Sequence, residues 1–337
     1  MAAAARSELG GARYVGRALA LAILPVTAVW ELVAGEVQHR HVPQAGDWGA
    51  AASAAVAEKR PGDVIVVAPR WAEQHGRMAL SDFRPPSVTT PDVPLDKWFD
   101  VRVAARPDLE TYRRVLELSI RGKDDPETKG WKLVEERRFG DVALRVLENP
   151  APHPIVRDLV DEIDATATVA RVANGVPEPC RWEETGPQHM PGLFAGAVQP
   201  TKRFLCSPFD PAWSFVGPTV ITDLHYVPRR CIWMHPGAND VTTIEFPPKP
   251  LGKSFVGYLG IHVYQERELK FPPVYARVSV ADKEVAHVVH NDGDGWLRFD
   301  GSTAEFAGTS QRVKIELWVD PGMNPFRTAC MSAQLRD

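Results

Sequence analysis

The chain has 337 residues, 44% of them apolar and 24% charged, with a net charge of −4. These values exclude a wholly disordered or fibrous protein, and they exclude the basic field that nucleic-acid binding requires. The length favours two folded units, and 30 Pro with 10 Trp favour short strands and ordered turns over helical bundles.

In chain order, the first feature is apolar. Residues 18–30 carry no charge, and extending the stretch over 14–35 gives 22 residues by admitting Arg17 and Glu31 near its ends. A spanning helix needs about 20 apolar residues, so both an uncleaved anchor and a cleaved signal fit, with an ordinary buried helix as the third reading. Arg6, Arg13 and Arg17 precede the stretch while Glu31 and Glu36 follow it. This asymmetry puts residues 1–44 down as a cytoplasmic stub and signal-anchor helix, and everything beyond as extracytoplasmic. The expected location is a single-pass, periplasm-facing membrane protein.

Residues 45–150 read as a small α/β domain. Asp47 is the expected N-cap of a helix in which Trp48, Ala51, Ala52, Ala55 and Val56 recur at helical spacing up to Pro61-Gly62. Asp63 to Ala68 is a β-branched run without alternation, which suits a strand buried on both faces of a parallel sheet. A short helix over 70–80, a Pro-rich loop (Pro85, Pro86, Pro91, Pro94), a strand at 99–103, a helical turn from Asp108 and a strand at 115–120 follow. The unit closes on a hairpin, 131–139 with 142–146, around Gly140-Asp141. Gly in the first turn position suits type II′.

Residues 151–164 are expected to form a linker helix, with Ile155, Leu159, Val160 and Ile163 on one face. Asp161, Glu162 and Asp164 would be its solvated side. From 165 to 337 about ten short strands alternate, clearest at 274–280 and 313–319, as an antiparallel β-sandwich or jelly roll requires. The fold class is therefore α+β with two domains behind a membrane helix.

Several residues are candidates for chemistry. Trp233, Trp296 and Trp318 offer flat faces on which a pyranose can stack, although strand tryptophans are commonly core. Asn291, Asp292 and Asp294 form an oxygen-rich loop that would suit Ca2+, against a plain glycine-rich turn; no other cofactor is expected. His287 and His290 point to opposite sheet faces, so they cannot share a metal, and both read as solvated. Cys180 with Cys206 and Cys231 with Cys330 is the expected disulfide pairing of three possible, against four buried thiols. No C-x-x-C zinc pattern, nucleotide-binding loop or hydrolase nucleophile motif occurs.

Two resemblances add to this reading. The blocks Asp47-Trp48-Gly49-Ala50-Ala51, Arg60 through Pro69, Asp108 through Val115 and Trp131 through Gly140 resemble, in order, the extracytoplasmic C-terminal domain of polytopic membrane glycosyltransferases. These are bacterial relatives of the dolichyl-phosphate-mannose protein mannosyltransferases. That family's catalytic acids lie in a loop among spanning helices which this chain lacks, so no catalytic residue is carried over. The resemblance implies a detached tail domain, working beside a polytopic membrane glycosyltransferase and a glycan or lipid-linked sugar. The blocks 228–236 and 328–333 make the second domain similar to galactose-binding-like modules, which implies carbohydrate contact. The expected function is thus a membrane-anchored, extracytoplasmic accessory or glycan-binding protein without catalysis of its own. The alternative is a glycosyl-transfer or glycoside-cleaving enzyme whose carboxylate pair is not located.

Overall fold

The computed structural model describes residues 23, 25–37, 42–81, 109–184, 200, 202–207, 214–225, 228–236, 239–268, 271–320 and 327–337. The Pro-rich loop and the strand expected at 99–103 lie outside them. So do residues 1–22, where the apolar stretch begins.

Residues 25–37 are helical, and Val26, Trp30 and Val33 on this helix are exposed. Among the described residues no helix is long and apolar enough to cross a membrane.

The first unit is a four-stranded sheet under two helices. Helix α1 (Ala45–Glu58) starts earlier than expected. Its N-cap is Gln44, and Asp47 sits at the third helical position, where its carboxylate accepts from the Gln44 amide at 2.9 Å as half of a capping box. Trp48, Ala51, Ala52 and Ala55 face inward. Strand β1 (Val64–Ala68) is buried at all five positions and runs parallel to β2 (Arg114–Ile120), as its unalternating sequence required. Between them lie a 3-10 turn at Arg70–Ala72 and helix α2 (Glu73–Ser81). Residues 109–113 form turns, not the expected helical turn.

Strands β3 (Lys132–Phe139) and β4 (Val142–Glu148) close the sheet in the order β1-β2-β4-β3. Of the two residues between them, Gly140 has φ 58° while Asp141 keeps a negative φ, the signature of type II′. Both helices cover one sheet face, where Ile65, Val67, Leu116, Leu118 and Leu144 form the core. Such a layout is α+β.

The expected linker helix does not form. Residues 155–158 are instead strand β5 (Ile155–Asp158), paired antiparallel with β18 (Ala329–Arg336). Turns follow, and they bury Leu159, Val160 and Ile163 in the sandwich core. The apolar spacing is real, but the open edge of β18 satisfies the backbone of 155–158 better than a short isolated helix does. Asp161 and Asp164 are exposed as expected, Asp161 pairing with Arg230, whereas Glu162 is half-buried, chelates the buried Arg157 and contacts Lys249.

The second unit is a sandwich of two six-stranded sheets. One contains β10 (Gly217–Thr222), β11 (Pro228–Met234), β18, β13 (Ser254–Gly260) and β16 (Leu297–Ser302) in that order, with β5 on β18. The other runs β15 (Lys283–His290), β14 (Val274–Val280), β17 (Ser310–Val319), β12 (Asp240–Pro250), β6 (Thr168–Ala173), β7 (Val176–Pro179). A two-stranded ribbon of β8 (Arg181–Glu184) and β9 (Lys202–Leu205) joins the sandwich through a Phe204–Val216 bridge. Beyond β13 the chain turns into the short helix α3 (Val263–Glu268).

Alternation does the sorting. Val274, Ala276, Val278, Val280 and Val313, Ile315, Leu317, Val319 all enter one core with Phe246, Phe255 and Leu335. At the corner between sheets, a Cβ on Gly301 would lie 1.9 Å from the Val285 carbonyl oxygen. Only glycine permits this approach.

Both disulfides form as expected, Cys180–Cys206 and Cys231–Cys330. The second closes a loop with a sequence separation of 99. Replacing Cys231 and Cys330 by Ala is expected to lower the sandwich's unfolding free energy by about 2–4 kcal/mol. Gly301→Ala is expected to cost about 1–3 kcal/mol through forced backbone movement. Urea titration followed by circular dichroism measures both, and an unchanged midpoint for either variant contradicts the corresponding claim.

Candidate functional site

Because inner positions of β14 and β17 are apolar, Tyr275, Arg277, Glu316 and Trp318 project from the outer face. In the β14–β17 register Tyr275 lies opposite Trp318, and Arg277 opposite Glu316. The Tyr275 and Trp318 rings are close to parallel, 11° apart, with centroids separated by 5.6 Å. The Arg277 guanidinium carbon lies 5.7 Å from the Trp318 centroid. All three side chains are half-buried, so the rings make an aromatic ridge that solvent still reaches.

Polar groups fix this ridge. Asp320 accepts from the Tyr275 hydroxyl at 3.2 Å, and Glu316 accepts from Arg277 Nε at 2.8 Å. Lys314 Nζ is 2.9 Å from the other Glu316 oxygen. Beside the ridge lies a cavity of about 290 Å3 lined by Arg277, Ser279, Asp282, Glu284, Lys314 and Glu316. Burial would raise the Glu316 carboxyl, but hydrogen bonds and charge from Lys314 and Arg277 outweigh it and hold the group below its ordinary range. An aromatic ridge flanked by bidentate-capable planar groups suits a ligand with an apolar ring face and hydroxyls around its rim.

The three tryptophans named from the sequence have three different fates. Trp233 is fully buried against Phe215 and the Cys231–Cys330 bridge, so it offers no face to a ligand. Its neighbour across the sheet is Cys330, and the segment around Phe215 covers that outer face. Trp296 is half-buried, parallel to Tyr258 at 6.1 Å and with Arg229 5.6 Å from its centroid. Trp318 alone joins a ridge next to a cavity. Tyr275, Arg277 and Glu316 were not singled out from the sequence. The signal lay in their sharing, with Trp318, the polar phase of two alternating runs.

The 291–294 loop uses its own oxygens. Asp294 accepts from the Asn291 amide at 2.8 Å and from its side chain. Asp292 faces Arg327 at 2.6 Å and accepts from the Phe271 amide. Among the described residues no three His, Cys, Asp or Glu side chains gather to hold a metal ion. His287 is exposed beside Glu284, whereas His290, expected to be solvated, is fully buried with Nε2 2.6 Å from the Gly295 carbonyl. As expected, the two leave the sheet on opposite faces.

No protein family and no curated protein matches the chain in sequence. Among solved structures, it is similar to the CBM51-2 module in complex with GlcNAc and INT domains of Clostridium perfringens ZmpB. The identity is 14%, over 71% of this chain and 46% of that one, with a TM-score of 0.33. It is also similar to the tandem CBM51 modules of Sp3GH98, the family 98 glycoside hydrolase from Streptococcus pneumoniae SP3-BS71. There the identity is 9%, over 60% and 57%, with a TM-score of 0.29. The chain spans less than half the length of each of three ZmpB structures it matches. Likenesses at this level identify neither the fold family nor the ligand of the chain.

The Glu316 pairing makes a pH prediction. A carboxyl held below its ordinary value of 4.5 contributes stability that is complete above that value and lost as pH falls through the lower folded value. Wild-type stability is therefore expected to drop in that acidic window more steeply than that of Glu316→Gln. Equal slopes in parallel urea titrations from pH 6 down to about pH 3 would contradict the pairing.

Proposed function

We propose that the protein is a glycan-binding protein whose contact surface is the outer face of β15, β14 and β17. The observation that carries this reading is the parallel Tyr275–Trp318 ridge beside a polar cavity. A sugar's C–H face packs on aromatic carbon, while its hydroxyls need carboxylate and guanidinium partners at the edges; Glu316, Asp320 and Arg277 supply them. Glu316 is held by Arg277 and Lys314 at the edge of the ridge, and the role proposed for this surface is recognition.

Location belongs to the same proposal. Two disulfides favour an oxidising compartment, and arginines ahead of the apolar stretch with acids behind it favour export of the folded units. The exposed apolar side chains of the 25–37 helix suit insertion of this segment into a bilayer as an anchor. In that setting the ligand is a glycan or lipid-linked sugar. The partner in this proposal is a polytopic membrane glycosyltransferase.

On a glycan array the full chain is expected to retain at least one saccharide, and Trp318→Ala and Tyr275→Ala each to weaken it by about tenfold or more, the order of an aromatic contact of about 1.4 kcal/mol. No retained glycan, or retention untouched by both substitutions, overturns the assignment. Alkaline carbonate extraction checks the anchor: the protein is expected in the membrane pellet, and release with a new N-terminus near residue 36 replaces the anchor with a cleaved signal.

A further inference from the structure

A second cavity lies elsewhere, on the helix-free face of the first sheet. It measures about 560 Å3, and its lining includes Ser119, Arg121, Asp124, Glu136, Arg138 and Arg145. Beneath it is the fully buried Glu117, which accepts from Arg145 at 3.0 Å, from the Asp125 amide at 2.9 Å and from the Thr128 hydroxyl.

Charge in this cavity is matched with one exception. Arg145 meets Glu117, Asp124 and Glu136, and Arg138 meets Glu136 at 3.0 Å. Arg121 has no hydrogen-bond or ion-pair partner among the described residues. Its guanidinium carbon instead lies 5.6 Å from the ring centroid of Trp71, which is 64% exposed. The two residues meet because β1 and β2 are parallel neighbours in register from Val64↔Val115 to Ala68↔Ser119, so the turns after both strands emerge at one edge. Sheet ligands favour the carboxyl ends of parallel strands. Arg121 moreover holds a left-handed backbone, φ 55°, which costs free energy in a non-glycine residue and recurs at functional sites.

The geometry points to a second ligand site here, for a pyranose that carries one anionic group, a carboxylate or a phosphate. The anion pairs with the spare guanidinium of Arg121, the ring lies along Trp71, and hydroxyls reach the outer oxygens of Asp124 and Glu136. Anion and aromatic contact together distinguish this ligand from the neutral sugar surface of the sandwich, on which the site does not depend.

Isothermal titration of the full chain with glucuronic acid, glucose 1-phosphate and glucose tests it. At least one anionic sugar is expected to bind, with glucose tenfold weaker or more; the better of the two anionic ligands identifies the group recognised. Arg121→Gly is expected to abolish that preference while keeping or raising the melting temperature, since glycine accepts the left-handed backbone without strain. Trp71→Ala is expected to weaken binding at least threefold, and Trp318→Ala to leave it unchanged, which separates this site from the sandwich surface. No heat with either anionic sugar, equal binding of glucose, or a folded Arg121→Gly that binds normally overturns the assignment.

Discussion

The last strand of the chain needs a partner on both edges, and this requirement organises the molecule. Strand β18 takes β13 along one edge and divides the other between β11 and β5. Cys330 then bonds covalently to Cys231 of β11. Near its end Arg336 and Arg298 converge on Glu110 of the first unit, and the Asp337 carbonyl lies 3.3 Å from His153 Nδ1. Pairing β18 thus fixes the sheet order and, through these polar contacts, where the first unit sits. Strand β5 exists only because that edge is available.

Both units use one device to separate stability from recognition. In the sandwich, one phase of each alternating strand builds the core while the other carries Tyr275, Arg277, Glu316 and Trp318 outward. In the first sheet, the helix-covered face is apolar and the opposite face carries Glu117, Ser119 and Arg145 above the strands' own hydrogen bonds. Side chains on strands are held by the ladder beneath them, so the aromatic ridge and the cavity rest on rigid supports. The groups that fix those side chains are local ion pairs and hydrogen bonds.

Burial decides what the charged residues do. Glu117 is fully buried, which raises its carboxyl above the usual range despite the amide of Asp125, the charge of Arg145 and the hydroxyl of Thr128. Glu316 keeps enough cationic company to move the other way. The two acids sit on faces of two sheets away from the main cores, and their environments shift their carboxyls in opposite directions.

Much of the architecture follows from the linear chain. A β-branched run without alternation marked β1 as a strand buried on both faces, Gly140-Asp141 forced a hairpin, and the alternation at 274–280 and 313–319 told core from surface before any contact was known. The cysteine pairing was legible for the same reason, since the strands that carry Cys231 and Cys330 could be recognised. What required tertiary structure was everything set by neighbours in space. Residues 155–163 have helical spacing, yet an open strand edge outcompetes a helix of two turns. Three strand tryptophans look alike in sequence, but only the cross-strand register and the packing of Phe215 on β11 leave Trp318 reachable and bury Trp233. Trp71 and Arg121 are fifty residues apart with no shared pattern, and parallel pairing of two strands alone brings them to one edge. Periodicity records which face a residue takes; it holds no information on what covers that face, because covering is done by residues distant in the chain.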